Sequence, residues 1–288
     1  MSVQVKKFVI AEVYIKLETE HVLQVTTGFQ GFECLAENDT AEDYRVVYKG
    51  VTKLDIPEKL PVYEENRFSV FCLEDAAFCR VFKKTTKERS PYVVSRYHEN
   101  SQIIEVEYLT EEEEQLKTVQ QAFLYIPWEW ILMRKNRLML HASFVNTQYG
   151  GLAFSGPSGI GKSTQSDLWC NYGAGKLING DKTIFLRKEE GWFGYGSPYA
   201  GSSKCYVNDR CKLSALLFLK QGKTCDLKLL SITEAFKRIY AGVTVNRWDS
   251  KYIEAICELI QQIVLEIPIY EFTCTPDENA VYFLQKNL

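Results

Sequence analysis

The sequence predicts an α/β protein in which a mainly antiparallel, β-rich N-terminal region precedes an α/β domain with a phosphate-binding loop. Residues 1–110 contain repeated short runs of β-branched and aromatic residues, residues 111–137 change to a helical pattern, and residues 138–288 carry a glycine-rich motif between an apolar run and a helix. A chain of 288 residues accommodates two unequal domains, so these segments are interpreted as an N-terminal domain, a helical connection and a C-terminal domain.

Composition and charge exclude several classes of partner. The net charge is −3 and the basic residues are dispersed, so no cationic surface for nucleic acid is expected. Glu12 interrupts the first apolar run and Glu129 interrupts residues 123–133, so neither run predicts a signal peptide or a membrane span. We therefore expect a cytoplasmic protein without nucleic-acid or membrane partners. Nine scattered cysteines without a C-x-x-C pair favour buried thiols over a metal cluster.

The N-terminal region is predicted to form strands. Polar or proline-containing connectors separate its runs, which is typical of a mainly antiparallel sheet, and no chemical motif occurs among them. The runs are FVIAEVYIKLE, YRVVYKGV, RFSVFCL, FCRVFKK, YVVSRYH and QIIEVEYL. In the connection, Thr110 is predicted to cap a helix whose first turn carries the acidic residues 111–114, because the helix dipole favours negative charge there. Pro127 is expected to kink or split this helix.

The C-terminal region alternates strands and helices. The runs LMLHASFV and GLAFSG predict a hairpin, and a helix is expected at residues 162–172. Strands are predicted at KLINGD, KTIFLRK and the fully apolar KLSALLFLK. Ser231 and Glu234 form a capping box for a helix that ends at Gly242. The segment DSKYIEAICELIQQIVLEI has apolar residues at helical spacing, and Pro268 stops it.

Residues 156–163, GPSGIGKS, match the pattern G-x-x-x-x-G-K-[ST]. The glycines allow left-handed backbone conformations and close approach to phosphate oxygens, and the following helix N-terminus supplies N–H groups. Lys162 is predicted to reach the β- and γ-phosphates of ATP, and the Ser163 hydroxyl is predicted to ligate Mg²⁺. The predicted nucleotide contacts are Gly156, Ser158, Gly159, Ile160, Gly161, Lys162, Ser163 and Thr164.

Two further side chains are candidates for chemistry beside this loop. The most apolar strand after the loop ends in Lys220, where conventional P-loop ATPases place an aspartate, and no N-K-x-D motif is present. Asp181 is an acidic residue at the end of the predicted strand KLINGD, and it could serve as the base or as a metal ligand. His141 lies in the strand predicted to pair with the one entering the loop, where its imidazole could contact phosphate or hold the Asp181 carboxylate.

The combination LMLHASFV…GGLAFSGPSGIGKSTQSDLW…GKLINGDKTIF resembles the HPr kinase/phosphorylase family, whose catalytic fold is similar to phosphoenolpyruvate carboxykinase. The match covers residues 138–186 well and the rest of the C-terminal half loosely. It implies that Lys162 and Ser163 are the phosphate lysine and the metal hydroxyl, that His141 is the family histidine, and that Asp181 is the second residue of an acidic pair. The first residue of that pair is Gly180, so one carboxylate is absent.

The resemblance implies an ATP- and Mg²⁺-dependent kinase that phosphorylates a hydroxyl, with serine of a protein or peptide as the favoured acceptor. The family signature associated with phosphorolysis is not recognisable, so phosphorylase activity is not expected. Lys204 and Arg210, in the loop that stands in its place, are candidate contacts to substrate or phosphate. The N-terminal region is a candidate for acceptor recognition, and homo-oligomers occur in the family. A nucleotide-binding regulatory protein without turnover and a small-molecule kinase are the alternatives.

Overall fold

The computed structural model describes residues 3–34, 42–74, 77–85 and 89–288. The chain is a mixed α/β protein that divides into two compact units, Met1–Trp128 and Glu129–Leu288, and each unit contains an eight-stranded sheet. The boundary between the units falls inside residues 111–137, the segment predicted as a helical connection. Among the described residues, no helix combines the length and the apolar character that a membrane span requires.

The first unit is built on a sheet in the order β1-β2-β3-β8-β7-β6-β5-β4. Five of its strand pairs are antiparallel, and the pairs β2–β3 and β3–β8 are parallel. The strands are β1 (Gln4–Ile10), β2 (Val13–Thr19), β3 (Tyr44–Val51), β4 (Tyr63–Glu64), β5 (Phe68–Cys72), β6 (Ala77–Lys83), β7 (Pro91–His98) and β8 (Ile103–Leu109). A one-turn helix, α1 (Thr27–Gln30), follows β2.

The apolar run FVIAEVYIKLE forms a hairpin rather than one strand. Ala11 and Glu12 connect β1 to β2 with φ values of 48° and 62°. Two successive left-handed residues match the right-handed twist of an antiparallel pair, and this turn normally uses asparagine or glycine. Because neither residue occurs there, the sequence carries no local signal for the turn.

The connecting segment begins with a 3-10 helix, Thr110–Leu116, instead of the predicted α-helix. Thr110 lies inside this helix and is not its cap; the preceding residue, Leu109, makes no side-chain capping hydrogen bond. The capping box is found later, where the Thr118 side chain and Gln121 pair at the start of α2 (Val119–Phe123). A third helix, α3 (Trp128–Arg134), starts directly after Pro127. Pro127 therefore splits the helical segment, as predicted.

The second unit is built on a sheet in the order β10-β9-β12-β13-β14-β16-β15, with β11 paired to β9. A parallel pairing of β10 with β14 closes β9, β12, β13, β14 and β10 into a ring of five strands. The strands are β9 (Arg137–Thr147), β10 (Gly150–Ser155), β11 (Lys176–Asn179), β12 (Lys182–Lys188), β13 (Gly191–Tyr195), β14 (Arg210–Gln221), β15 (Asp226–Leu229) and β16 (Ile269–Cys274). The predicted hairpin is confirmed as β9 and β10.

Four α-helices follow β10 in the described part of the second unit, and three of them were predicted. They are α4 (Lys162–Tyr172), α5 (Ile232–Gly242), α6 (Ser250–Glu266) and α7 (Asn279–Asn287). The Ser231–Glu234 capping box is confirmed at the start of α5, and Asp249 caps α6. Strands β13, β15 and β16 and helix α7 were not predicted. A short 3-10 helix, Gly201–Ser203, lies between β13 and β14.

The core of the second unit anchors the helix that follows the glycine motif. Trp169 of α4 is fully buried and packs in a cluster with β-strand residues such as Phe154 and Leu217 and with residues of α7. Burial of one large aromatic side chain stabilises a core by several kcal/mol. The packing therefore holds α4 against β10, the strand that precedes the glycine motif.

We predict that Trp169→Ala destabilises the second unit by about 3–5 kcal/mol, because it removes buried apolar surface and leaves a cavity. The matched control is Tyr172→Ala on the same helix, whose side chain is 49% exposed and which should change stability by less than about 0.5 kcal/mol. Urea denaturation followed by far-ultraviolet circular dichroism measures both. Equal effects of the two substitutions would contradict the anchoring role.

Candidate active site

The glycine loop, residues 156–161, connects β10 to α4. Gly156, Gly159 and Gly161 have φ values of 141°, 78° and 113°, in the region that favours glycine. A Cβ atom added at Gly159 or Gly161 would meet no atom within 4 Å. These two glycines therefore border open space, and the loop leaves room for a ligand to approach its backbone.

The N-terminus of α4 is presented at the end of this loop. Gly161 occupies the cap position and supplies no side-chain hydrogen bond. The first hydrogen bond of the helix runs from the Gln165 N–H to the Gly161 carbonyl, 2.9 Å. The N–H groups of the preceding residues have no intrahelical acceptor, and they lie at the positive end of the helix dipole. Together with the open space, this arrangement is suited to an anion.

Lys162 is held inside the loop. Its side chain is largely buried, with the residue 8% exposed, and Nζ donates to the carbonyls of Gly156 and Pro157 at 3.0 and 3.1 Å. Burial lowers the pKa of Lys162, and the Asp181 carboxylate opposes that shift. The backbone of Lys162 is also fixed, because Ser143 Oγ donates to its carbonyl at 3.2 Å. The ammonium group is thus positioned beside the open space by the loop itself.

His141 of β9 contacts Asp181, the residue directly before β12, where these two strands pair. His141 Nε2 lies 3.0 Å from Asp181 Oδ1, and both side chains are partly exposed. The register places Lys182, the first residue of β12, opposite His141. The pKa of His141 is lowered, first by burial and second by the positive charge of Lys162, while Asp181 raises it. The lowered pKa favours the neutral imidazole, which can accept a proton.

Asn179 holds the backbone of Asp181 in place. The Asn179 side chain is fully buried, and its Oδ1 accepts the Asp181 N–H at 2.9 Å. Its Nδ2 donates to Ser197 O and Ser197 Oγ, at 3.2 and 3.1 Å. An asparagine that binds the backbone two residues ahead is a known turn arrangement, so the sequence N-G-D carries a local signal for this contact.

A cavity of about 310 Å³ brings most of the predicted residues together. Its lining comprises His141, Ser158, Gly159, Gly161, Lys162, Ser163, Thr164, Gly180 and Asp181. Gly156 lines an adjacent cavity instead, and the Ile160 side chain packs against the core beneath the loop. The Ser163 and Thr164 side chains are exposed.

Lys204 and Arg210 do not line this cavity. Lys204 is exposed and adopts a left-handed conformation with φ of 51°. Arg210 Nη1 donates to Tyr195 Oη at 3.0 Å, and its guanidinium lies over the Phe193 and Tyr195 rings. The cation–π contacts hold Arg210 on the β13–β14 ladder. As substrate contacts, both residues remain predictions.

Gly180 occupies a position without room for a side chain. A Cβ atom there would lie 2.0 Å from Ser203 Oγ and 3.2 Å from the Ala200 carbonyl. Gly201 has φ of 55°, and a Cβ there would lie 2.9 Å from Asp181 Cβ. The segment around residues 200–203 is thus packed directly against Gly180 and Asp181. It fills the place that a carboxylate at residue 180 would need.

The residues present fit a magnesium ion only if the ligand supplies most of the coordination. No group of three or more histidine, cysteine or acidic side chains capable of holding a metal occurs within the described ranges. Mg²⁺ in nucleotide sites characteristically uses one or two protein oxygens together with phosphate oxygens and water. The Ser163 hydroxyl and the Asp181 carboxylate, which line one cavity, are suitable protein oxygens.

Comparison with known proteins does not assign the chain to a family. No family model matches the sequence, and no curated protein matches it. A solved structure, the HPr(Ser) kinase/phosphatase from Coxiella burnetii, is similar over 51% of this chain and 86% of its own, with 12% identity and a TM-score of 0.31. A similarity this low supports no functional conclusion.

We predict that two charged neighbours of His141 shift its pKa in opposite directions. Replacing Asp181 with asparagine should lower the pKa of His141 further, because it removes a charge that favours the imidazolium. Replacing Lys162 with methionine should raise it, because it removes a repelling cation. Nuclear magnetic resonance titration of the histidine ring protons measures both shifts. Lys204→Met serves as the charge-matched control, and a shift as large as that of Lys162→Met would contradict the assigned geometry.

The close packing around Gly180 predicts that a side chain at this position lowers the stability of the second unit. Gly180→Asp, which restores an acid at this position, should destabilise the second unit by about 1–3 kcal/mol through overpacking against Ser203. Adding Ser203→Gly should recover most of that loss, because it removes the nearest clashing atoms. Thermal denaturation of the single and double variants tests this. A single variant as stable as the natural chain would show that the segment yields freely.

Proposed function

We propose that the second unit is an ATP- and Mg²⁺-dependent kinase that transfers the γ-phosphoryl group to a hydroxyl, with serine of a protein or peptide as the acceptor. The observation that carries the proposal is the shared 310 Å³ cavity, which combines an anion-binding helix N-terminus, a buried lysine and a histidine–aspartate pair. Phosphoryl transfer needs these components, because it depends on positioning and charge stabilisation.

The loop is suited to the triphosphate of ATP. Backbone N–H groups at the start of α4 would bind phosphate oxygens, and Gly159 and Gly161 permit close approach. Lys162 would exchange its contacts with the Gly156 and Pro157 carbonyls for β- and γ-phosphate oxygens. Ser163 and Asp181 would hold Mg²⁺, which neutralises charge on the phosphates when bound.

His141 is assigned as the base and Asp181 as the metal ligand, because one carboxylate is poorly suited to both tasks. The acceptor oxygen forms a bond to the γ-phosphorus while the bond from that phosphorus to the β–γ bridging oxygen breaks, and ADP leaves. The hydroxyl proton passes to a ring nitrogen of His141, whose lowered pKa favours the neutral form that can accept it. Asp181 orients the imidazole through the 3.0 Å contact and stabilises the imidazolium that forms.

Other parts of the proposal rest on the sequence. The N-terminal unit is proposed to help choose the acceptor, the protein is proposed to act in the cytoplasm, and a homo-oligomer is a further proposal. Gly180 favours one rival, a nucleotide-binding regulatory protein without turnover, because an expected carboxylate is replaced there. A small-molecule kinase would use the same donor site with a different acceptor.

Single-turnover release of label from ATP radiolabelled at the γ-phosphate tests the proposal. Lys162→Ala should abolish ATP binding, because it removes the cation buried in the loop. Asp181→Asn should bind ATP but slow loss of label by about a hundredfold or more, a range expected for removal of a residue that stabilises transition-state charge. His141→Gln should show a comparable defect with ATP binding retained.

Lys286→Met is the matched control and should behave as the natural chain, because Lys286 is exposed on α7 and does not line the cavity. If Asp181→Asn leaves turnover unchanged while Lys162→Ala abolishes binding, the role assigned to Asp181 is wrong. If the natural chain binds ATP and transfers no label to any acceptor or to water, the regulatory alternative replaces the kinase.

A further inference from the structure

A second cavity of about 410 Å³ adjoins the glycine loop and is largely apolar. Its walls include the side chains of Pro157, Phe218, Leu219 and Ala241. It shares His141 with the 310 Å³ cavity and borders the glycine loop at Gly156. Cavities of this size and polarity are typical binding sites for organic groups.

The lining of the second cavity includes a cationic side chain, Arg238. Arg238 of α5 lines it and donates to Glu271 Oε2 at 2.5 Å, while its guanidinium lies over the Phe218 ring. Glu271 is also paired with Lys220, at 3.8 Å. Glu271 is therefore shared between two cations, and the Arg238 guanidinium forms the cationic part of a largely apolar cavity wall. A guanidinium has five N–H groups and can bind a second anion while it keeps its first partner.

A third cavity of about 340 Å³ also has His141 in its lining. It is lined by Met139, Asp181, Lys182 and Thr244, and it shares both His141 and Gly242 with the 410 Å³ cavity. Two cavities that meet at one histidine suit an acceptor that continues in both directions from its reacting group. A peptide chain has this property, because residues on both sides of a serine need space.

The position of these cavities relative to the donor decides which group enters them. In the proposed site Lys162 approaches the β- and γ-phosphates, and His141 and Asp181, which line the same 310 Å³ cavity as Lys162, lie at the γ end. A nucleobase, joined through the α-phosphate, leaves the loop at the opposite end of the triphosphate. The cavities that share His141 therefore face the reacting phosphoryl group and are available to the acceptor.

We infer that the kinase phosphorylates a serine that has a large apolar residue beside it and an acidic residue close by, with the apolar side chain in the 410 Å³ cavity and the acidic group on Arg238. This inference rests on the proposed function and adds the acceptor class. Arg238 acts as a specificity-determining residue, and Ala241 borders the space that the apolar side chain fills.

The test uses the full chain, γ-labelled ATP with Mg²⁺, and a peptide library with a fixed central serine and varied flanking residues. Labelled peptides should be enriched in phenylalanine, leucine, isoleucine or methionine at an adjacent position, and in aspartate or glutamate nearby. Ala241→Phe should reduce their labelling by about tenfold or more, because the added ring occupies the cavity. Its ATP dissociation constant should remain within about twofold, because Ala241 does not line the 310 Å³ cavity in which the phosphates are proposed to bind.

The matched control is Thr233→Phe, an exposed position on α5 about 12 Å along the helix from Ala241, which should leave labelling unchanged. A second variant exchanges the charges of a pair, Arg238→Glu with Glu271→Arg, and so keeps the ion pair. This variant should change the preference from acidic to basic flanking residues.

Several results would overturn the inference. Weakened ATP binding in Ala241→Phe, with the control unaffected, would place the nucleobase in the cavity. Labelling that ignores the flanking residues, or that is unchanged by both substitutions, would exclude the cavity from acceptor recognition. If the natural chain hydrolyses ATP in a Lys162-dependent manner but labels no peptide, the peptide acceptor is wrong while phosphoryl transfer stands. Absence of both activities would refute the proposed function as well.

Discussion

The site depends on one backbone constraint, which is that the chain passes from β10 into α4 through a loop that leaves the first N–H groups of the helix unblocked. Gly161 adopts φ of 113° and caps the helix without a side-chain bond. Helix α4 is held in place by the burial of Trp169 and by the hydrogen bond from Ser143 to the Lys162 carbonyl. An anion site at a helix end requires this combination of a free terminus and a fixed axis.

A second layer of organisation comes from strand pairing. His141 and Asp181 meet because β9 and β12 pair with Lys182 opposite His141, and Asn179 then holds the Asp181 backbone. Lys162 and Asp181 act on the His141 pKa in opposite directions, while burial lowers it. The three side chains are electrostatically connected, because Lys162 and Asp181 both act on the pKa of His141. This coupling gives the cavity a chemical character that the glycine loop alone would not have.

Some features were beyond prediction because no local signal marks them. Ala11 and Glu12 form a left-handed turn without glycine or asparagine, so the β1–β2 hairpin was interpreted as one strand. Threonine is a favoured N-cap residue, yet Thr110 lies inside a 3-10 helix and the capping box is at Thr118. Such outcomes are decided by packing, which overrides local preferences when they are weak. Arg238 likewise gave no signal, because it reaches the site from α5.

The sequence by itself determined the strand–glycine loop–helix unit, the capping box at Ser231, the amphipathic helix α6 and the hairpin that carries His141. These features follow from neighbouring residues, through backbone freedom at glycine, side-chain capping and apolar periodicity. Only the tertiary structure decided that Ser203 fills the space beside Gly180, that Arg210 is held by Tyr195, and that three cavities converge on His141. The physical reason is that these contacts join segments distant in the chain, whose approach depends on how the whole sheet pairs.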